Sequence, residues 1–177
     1  MRHVLFCLIP FAVLAACQTP AHVDRWQRID APALVFTGVA LPDSALDPAW
    51  PEVCREAAKE ITTQLRRRLP ARLHPVRLEA APTPAGKPAT LTVRIERCAL
   101  DVDQWGDSFD FFLDLDLRLQ LNPGRRKPVA WRIRTAERAR SDTPSPAWIF
   151  TFADPVRRIL SRFAAGRVAV PVAAQRD

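Results

Sequence analysis

Glycine is scarce, with 5 residues in a chain of 177. That argues against a Gly-rich loop cradling phosphates. Histidine is scarcer still, with 3, and neither a His-Glu-x-x-His pair nor a Gly-x-Ser-x-Gly nucleophile elbow occurs. The 4 cysteines lack the paired Cys or His spacing of a zinc site. No apolar run reaches the roughly 20 residues that a membrane-crossing helix needs. No internal repeat is found. These absences leave no cofactor, no metal and no enzyme as the expectation, with a Ser/Lys or two-carboxylate hydrolase as the enzyme reading still open. What is plentiful is proline, at 17, and positive charge: 26 Lys+Arg face 19 Asp+Glu. With 48% apolar and 25% charged residues, the chain can bury roughly two thirds of its unfolded surface as one domain.

The first residues indicate a compartment. Arg2 and His3 precede the apolar run Val4 to Ala16, too short to cross a bilayer but typical of a secretory signal. It ends in Leu14-Ala15-Ala16-Cys17, which resembles the bacterial lipobox. The resemblance implies cleavage before Cys17 and lipidation, including palmitate, of its thiol. Gln18 follows; the absence of Asp there implies export to the outer membrane in Gram-negative lipoproteins. Several acyl chains anchor firmly, whereas one binds marginally. The expected division is 1–16 signal peptide, 17–31 lipidated tether, 32–172 a single domain and 173–177 a frayed tail.

Cys7 leaves with the signal and Cys17 is lipidated, so Cys54 and Cys98 remain in an oxidising compartment. One disulfide between them is the simplest use. Two buried free thiols are the alternative.

The mature chain reads as strand, helix, three strands and helix. Ala33 to Leu41 is a short apolar strand. Pro51 to Leu69 is a helix with Cys54, Ala57, Ala58, Ile61 and Leu65 on one face, stopped by Pro70. Val76 and Leu78 suit a short edge strand. Thr90 to Val102 alternates, with a phase shift that predicts a bulge near Arg97. From Ser108 to Asn122, Phe109, Phe111, Leu113, Leu115, Leu117, Leu119 and Leu121 alternate with polar residues, a strand with one dry face. Val129, Trp131 and Ile133 mark the next strand. Asp154-Pro155 suggests an N-cap and first helical position, starting a helix to about Ala165 that Gly166 terminates. Val168 to Val172 suits a last strand. The fold class is α+β: an antiparallel sheet of about four strands with two helices on one face.

Charge sits in clusters. On the wet face of the sheet, Asp116 should lie opposite Arg94 and Arg134, a cross-strand ladder. A shared cation among Asp110, Asp114 and Asp116 is the competing reading. Arg66, Arg67 and Arg68 end the first helix, Arg125 and Arg126 sit at a hairpin tip, and Arg157 and Arg158 lie on the last helix. They are candidate contacts for anionic lipid, lipopolysaccharide phosphates or acidic protein loops, or simply solvated surface. Trp105 and Trp148 are candidate exposed anchors, or fold back on the core. Nucleic acid is a poor partner in an envelope compartment.

The lipobox and the order of elements resemble the small Gram-negative outer-membrane lipoproteins of the LptE-like and PqiC-like kinds. The resemblance implies a lipid-tethered, non-enzymatic subunit facing the periplasm, bound to a β-barrel or ABC-transport component and touching lipopolysaccharide or other anionic lipid. The alternatives are a stand-alone ligand-binding lipoprotein or an envelope hydrolase.

Overall fold

The computed structural model describes residues 25–79, 87–123, 126–146 and 149–170. Residues 1–16, expected to be a signal peptide, Cys17, Gln18, Arg125, Trp148 and the expected tail at 173–177 lie outside them.

Eight strands and two helices are described: β1 (Arg25–Arg28), β2 (Ala33–Ala40), α1 (Pro51–Arg72), β3 (Arg77–Glu79), β4 (Ala89–Trp105), β5 (Ser108–Asn122), β6 (Val129–Ser141), α2 (Ala153–Leu160), β7 (Phe163–Ala164) and β8 (Arg167–Val170). They form a five-stranded sheet ordered β3-β2-β4-β5-β6 and a small one ordered β1-β8-β7. The expected meander is there: β4, β5 and β6 pair antiparallel in sequence. Two features correct the expected sheet. β2 runs parallel to both β3 and β4, so the sheet is mixed. Parallel neighbours need a crossover, and α1 supplies it by carrying the chain back along the sheet. The second correction is the small sheet, in which β1 pairs with β8. β1 falls within the range read as tether. Its four residues, Arg-Trp-Gln-Arg, have no dry face of their own and find order only in a partner from the far end of the chain.

Both helices lie on one face of the large sheet, as expected. Ile61, Leu65 and Leu69 of α1 and Val156 and Ile159 of α2 share one core with Val93, Ile95, Leu117, Leu119 and Ile133. Each fully buried Leu or Ile here contributes about 2 kcal/mol of transfer free energy. Trp131 is packed near the ring of Phe163, and its indole N–H donates to the Ala169 carbonyl at 3.1 Å. That bond ties the two sheets together.

The helix ends differ from expectation. Pro70 does not stop α1, which continues to Arg72. In a last turn, proline sacrifices one backbone bond, while buried Leu69 and Leu73 hold the turn on the core. α2 ends at Leu160 rather than near Ala165, and Asp154 sits inside it, not at its cap. The cap position is Phe152, buried and left-handed at φ 52°. Gly166 belongs to the β7–β8 turn, where Ala165 and Gly166 both have positive φ.

The bulge near Arg97 is present: pairing of β4 with β5 slips between Ile95 and Arg97. It also corrects the expected charge register. Asp116 faces Arg97 and Arg134, and Arg94 faces Arg118 instead, because the extra residue Glu96 moves every later pair by one.

Candidate functional site

Four places concentrate polar chemistry. The first is the junction of α1 and β4. Cys54 and Cys98 are disulfide-bonded, with Cα atoms 5.9 Å apart. Beside the bond, the Asp47 carboxylate accepts from the backbone N–H groups of Ala49 (2.8 Å), Trp50 (3.1 Å) and Leu100 (3.0 Å). Burial pushes the Asp47 carboxyl up, but the three N–H donors bring it below the ordinary aspartate value. Asp47 thus acts as a capping carboxylate reaching both the helix start and the strand.

The second is the open face of the large sheet. Arg94, Arg118 and Arg132 stand side by side on β4, β5 and β6, a row of like charges that is unfavourable alone. The bulged Glu96 answers it, 3.5 Å from Arg118 and 3.7 Å from Arg132. Arg134 bonds Asp116 at 3.0 Å. Asp110 is 3% exposed and held by Arg138 at 2.8 Å and by Arg140 at 2.8 and 2.9 Å, while Arg138 also lies over the Phe112 ring. Asp110 and Asp116 are therefore partnered by arginines across the strands, whereas Asp114 faces Ala99 and Ala136, and among the described residues no group of three or more His, Cys, Asp or Glu could hold a metal.

The hydrogen bonds from Arg140 and Arg138 depress the Asp110 carboxyl to about 2. Its unfolded value is about 3.9. A depressed carboxyl contributes stability that is complete above the unfolded value and lost as pH falls through the folded one. We expect a carbon-13 titration of Asp110 to show a midpoint near 2, moving upward in Arg140→Gln. An ordinary midpoint in the wild type would contradict the fork.

The third place is a cleft of about 780 Å³ between the end of α1, α2, β6 and the small sheet. Its walls carry Arg68 and Arg72 from α1, Arg157 from α2, Glu137 and Arg138 from β6, and Trp26 from β1. Leu160, Phe163 and Ala164 supply apolar surface. The cleft opens to solvent. Glu137 accepts from the backbone N–H of Phe152 (3.0 Å) and Asp154 (3.4 Å), so a strand residue supplies the cap that Phe152 cannot. Removing it in Glu137→Ala should cost about 1–2 kcal/mol, measured as a shift in urea midpoint with unchanged slope. No shift would mean that water replaces the carboxylate without loss.

The fourth is the β4–β5 hairpin, which projects with Trp105 72% exposed and Val102 37% exposed. Asp101, Asp103 and Asp107 are exposed beside them.

The arginine candidates separate by environment. Arg66 donates to the Thr37 carbonyl at 2.5 Å, and Thr62, one turn earlier, accepts from the Val39 N–H at 2.9 Å. Together they satisfy the backbone where β2 slips against β4. Arg157 and Arg158 both bond Asp154. Burial raises the Asp154 carboxyl, and these two donors bring it below its ordinary value. Arg67 and Arg126 are exposed. Arg68 lines the cleft together with Arg72, a member of the same basic cluster in the sequence, and the i, i+4 spacing puts the two on one stripe of the helix.

No protein-family model matches the chain and no curated protein matches it. Among solved structures it is similar to the hypothetical protein CT253 from Chlamydia trachomatis, at 10% identity and TM-score 0.45 over 75% of this chain and 95% of that one. It is also similar to a minor lipoprotein from Acinetobacter baumannii, at 13% and 0.39 over 76% and 95%. A third is rare lipoprotein B from Shewanella oneidensis, at 10% and 0.29 over 72% and 81%. Likeness of this depth assigns no family. No described helix is long and apolar enough to cross a membrane.

Proposed function

We propose that this chain is a lipid-anchored, non-enzymatic envelope lipoprotein, held at the outer membrane through acylated Cys17 with its domain facing the periplasm. There it binds an envelope protein complex of the lipopolysaccharide-assembly or lipid-transport type. The observation that carries the reading is Leu14-Ala15-Ala16-Cys17 at the end of a short apolar run. The Cys54–Cys98 bond supports it, since structural disulfides persist in exported proteins and not in a reducing cytosol. A subunit role is supported by exposed aromatic surface at Trp105 and Trp26, residues of the type that anchor interfaces.

The test is a mild-detergent pull-down of the tagged protein from its own envelope, with mass spectrometry of proteins and lipids. A stoichiometric β-barrel or transporter component is expected, and its loss in Trp105→Ala would place the hairpin in the contact. Lipid or a small molecule alone, with no protein, would favour the second reading, a stand-alone ligand-binding lipoprotein. The observation behind that reading is the cleft of about 780 Å³, within the usual size range of ligand sites.

A further inference from the structure

Arg68 and Arg72 are one helical turn apart, so their Cβ atoms are about 6 Å apart on one stripe of α1. Both side chains line the cleft. Their guanidinium groups have no hydrogen-bond or ion-pair partner among the described residues, whereas the other two arginines of the wall are committed, Arg157 to Asp154 and Arg138 to Asp110. Beside them stand the half-exposed ring of Trp26 (45% exposed) and the apolar surface of Leu160, Phe163 and Ala164. Two unpaired forks next to an apolar floor are a complement for carboxylates attached to an apolar chain.

We propose that the cleft holds an acidic, apolar-containing polypeptide segment of the partner protein, with Arg68 and Arg72 pairing its carboxylates and Trp26 covering its apolar side chain. This deepens the subunit reading and rests on it. Glu137 and Asp154 also line the cleft, but both are engaged, Glu137 by the Phe152 and Asp154 N–H groups and Asp154 by Arg157 and Arg158, so Arg68 and Arg72 carry its free charge. A peptide is favoured over a lipid phosphate by the strand edges. β6 is the last strand of the large sheet and β7 the last of the small one, so backbone edges border the cleft on two sides, where an extended chain can lie.

The experiment uses the full chain in neutral detergent on an array of random heptapeptides, with water-soluble short-chain phosphatidylglycerol as the lipid probe. Retained peptides should be enriched in Asp or Glu beside an apolar residue. Arg68→Glu/Arg72→Glu should weaken their binding at least tenfold. Arg67→Glu, exposed on the same turn outside the cleft, should leave it within twofold. Melting curves of each variant check that the fold is intact. Equal loss in Arg67→Glu would reduce the effect to net charge and overturn the proposal. So would an array without acidic enrichment, or a double variant that loses phosphatidylglycerol binding alone. A partner captured in the pull-down together with a negative array would place docking elsewhere and leave the subunit role standing. A positive array without any captured protein would do the reverse.

Discussion

Reducing the Cys54–Cys98 bond should lower the stability of the domain by about 4 kcal/mol, the chain-entropy figure for a loop of this length; the two positions are 44 apart in sequence. For a domain of this size that corresponds to roughly 10 °C in Tm. The location makes a large effect reasonable. The bond joins the first turn of α1 to the middle of β4, and the Asp47 carboxylate bridges the same two elements by its hydrogen bond to Leu100. Cutting the bond frees a helix whose buried face, from Val53 to Leu69, covers the sheet. Melting curves with and without reductant, and of Cys54→Ala and Cys98→Ala, check this. Both single variants should match the reduced protein. Equal melting of oxidised and reduced protein would mean that the bond is absent or idle.

Gly166→Ala should cost the small sheet about 3 kcal/mol, the sum of backbone strain and collision. Gly166 has φ 71°, where a Cβ costs about 1–2 kcal/mol. The added atom would also stand 2.7 Å from Cδ of Pro75 and 3.1 Å from the His74 carbonyl oxygen, a steric conflict costing about 1–3 kcal/mol. The same residue joins three segments, since its carbonyl accepts from the Ile29 N–H at 2.8 Å and its N–H donates to the Arg72 carbonyl at 3.4 Å. Gly106 provides the control. It has φ 60° but nothing within 4 Å of a new Cβ, so Gly106→Ala should lose only about 1 kcal/mol. Urea unfolding of the two variants separates conformational strain from collision. Equal losses would contradict the close approach to Pro75.

The parts of the fold written in local period were legible. The alternation from Phe109 to Leu121 became β5, and the phase slip near Arg97 became the bulge, because both depend on residues two apart. The helical face of Cys54, Ala57, Ile61 and Leu65 became the buried side of α1 for the same reason at a different period. What depended on distant partners was not legible. The parallel placement of β2 follows from how α1 packs, and nothing in Ala33 to Ala40 encodes it. β1 exists through β8, at the other end of the chain. The cap of α2 comes from Glu137 on a strand, so the local Asp154-Pro155 signal pointed two residues too far along. The candidate site divides likewise. The arginine clusters were visible as composition. Only three-dimensional placement separates Arg66, spent on the backbone of β2, from Arg68 and Arg72, which face the cleft unpaired. Asp110 is the clearest case. It lies on the wet face by its alternation, and is 3% exposed because Arg138 and Arg140 close over it.

The proposed envelope role rests on Cys17 becoming the acylated first residue of the mature protein. The most direct measurement is mass spectrometry of the N-terminal peptide of the protein purified from a Gram-negative membrane fraction, beside Cys17→Ala. A peptide beginning at a diacylglycerol-modified Cys17 is expected, with an uncleaved precursor for the variant. A free amine at Cys17 without lipid, or normal cleavage after Ala16 in Cys17→Ala, would contradict it.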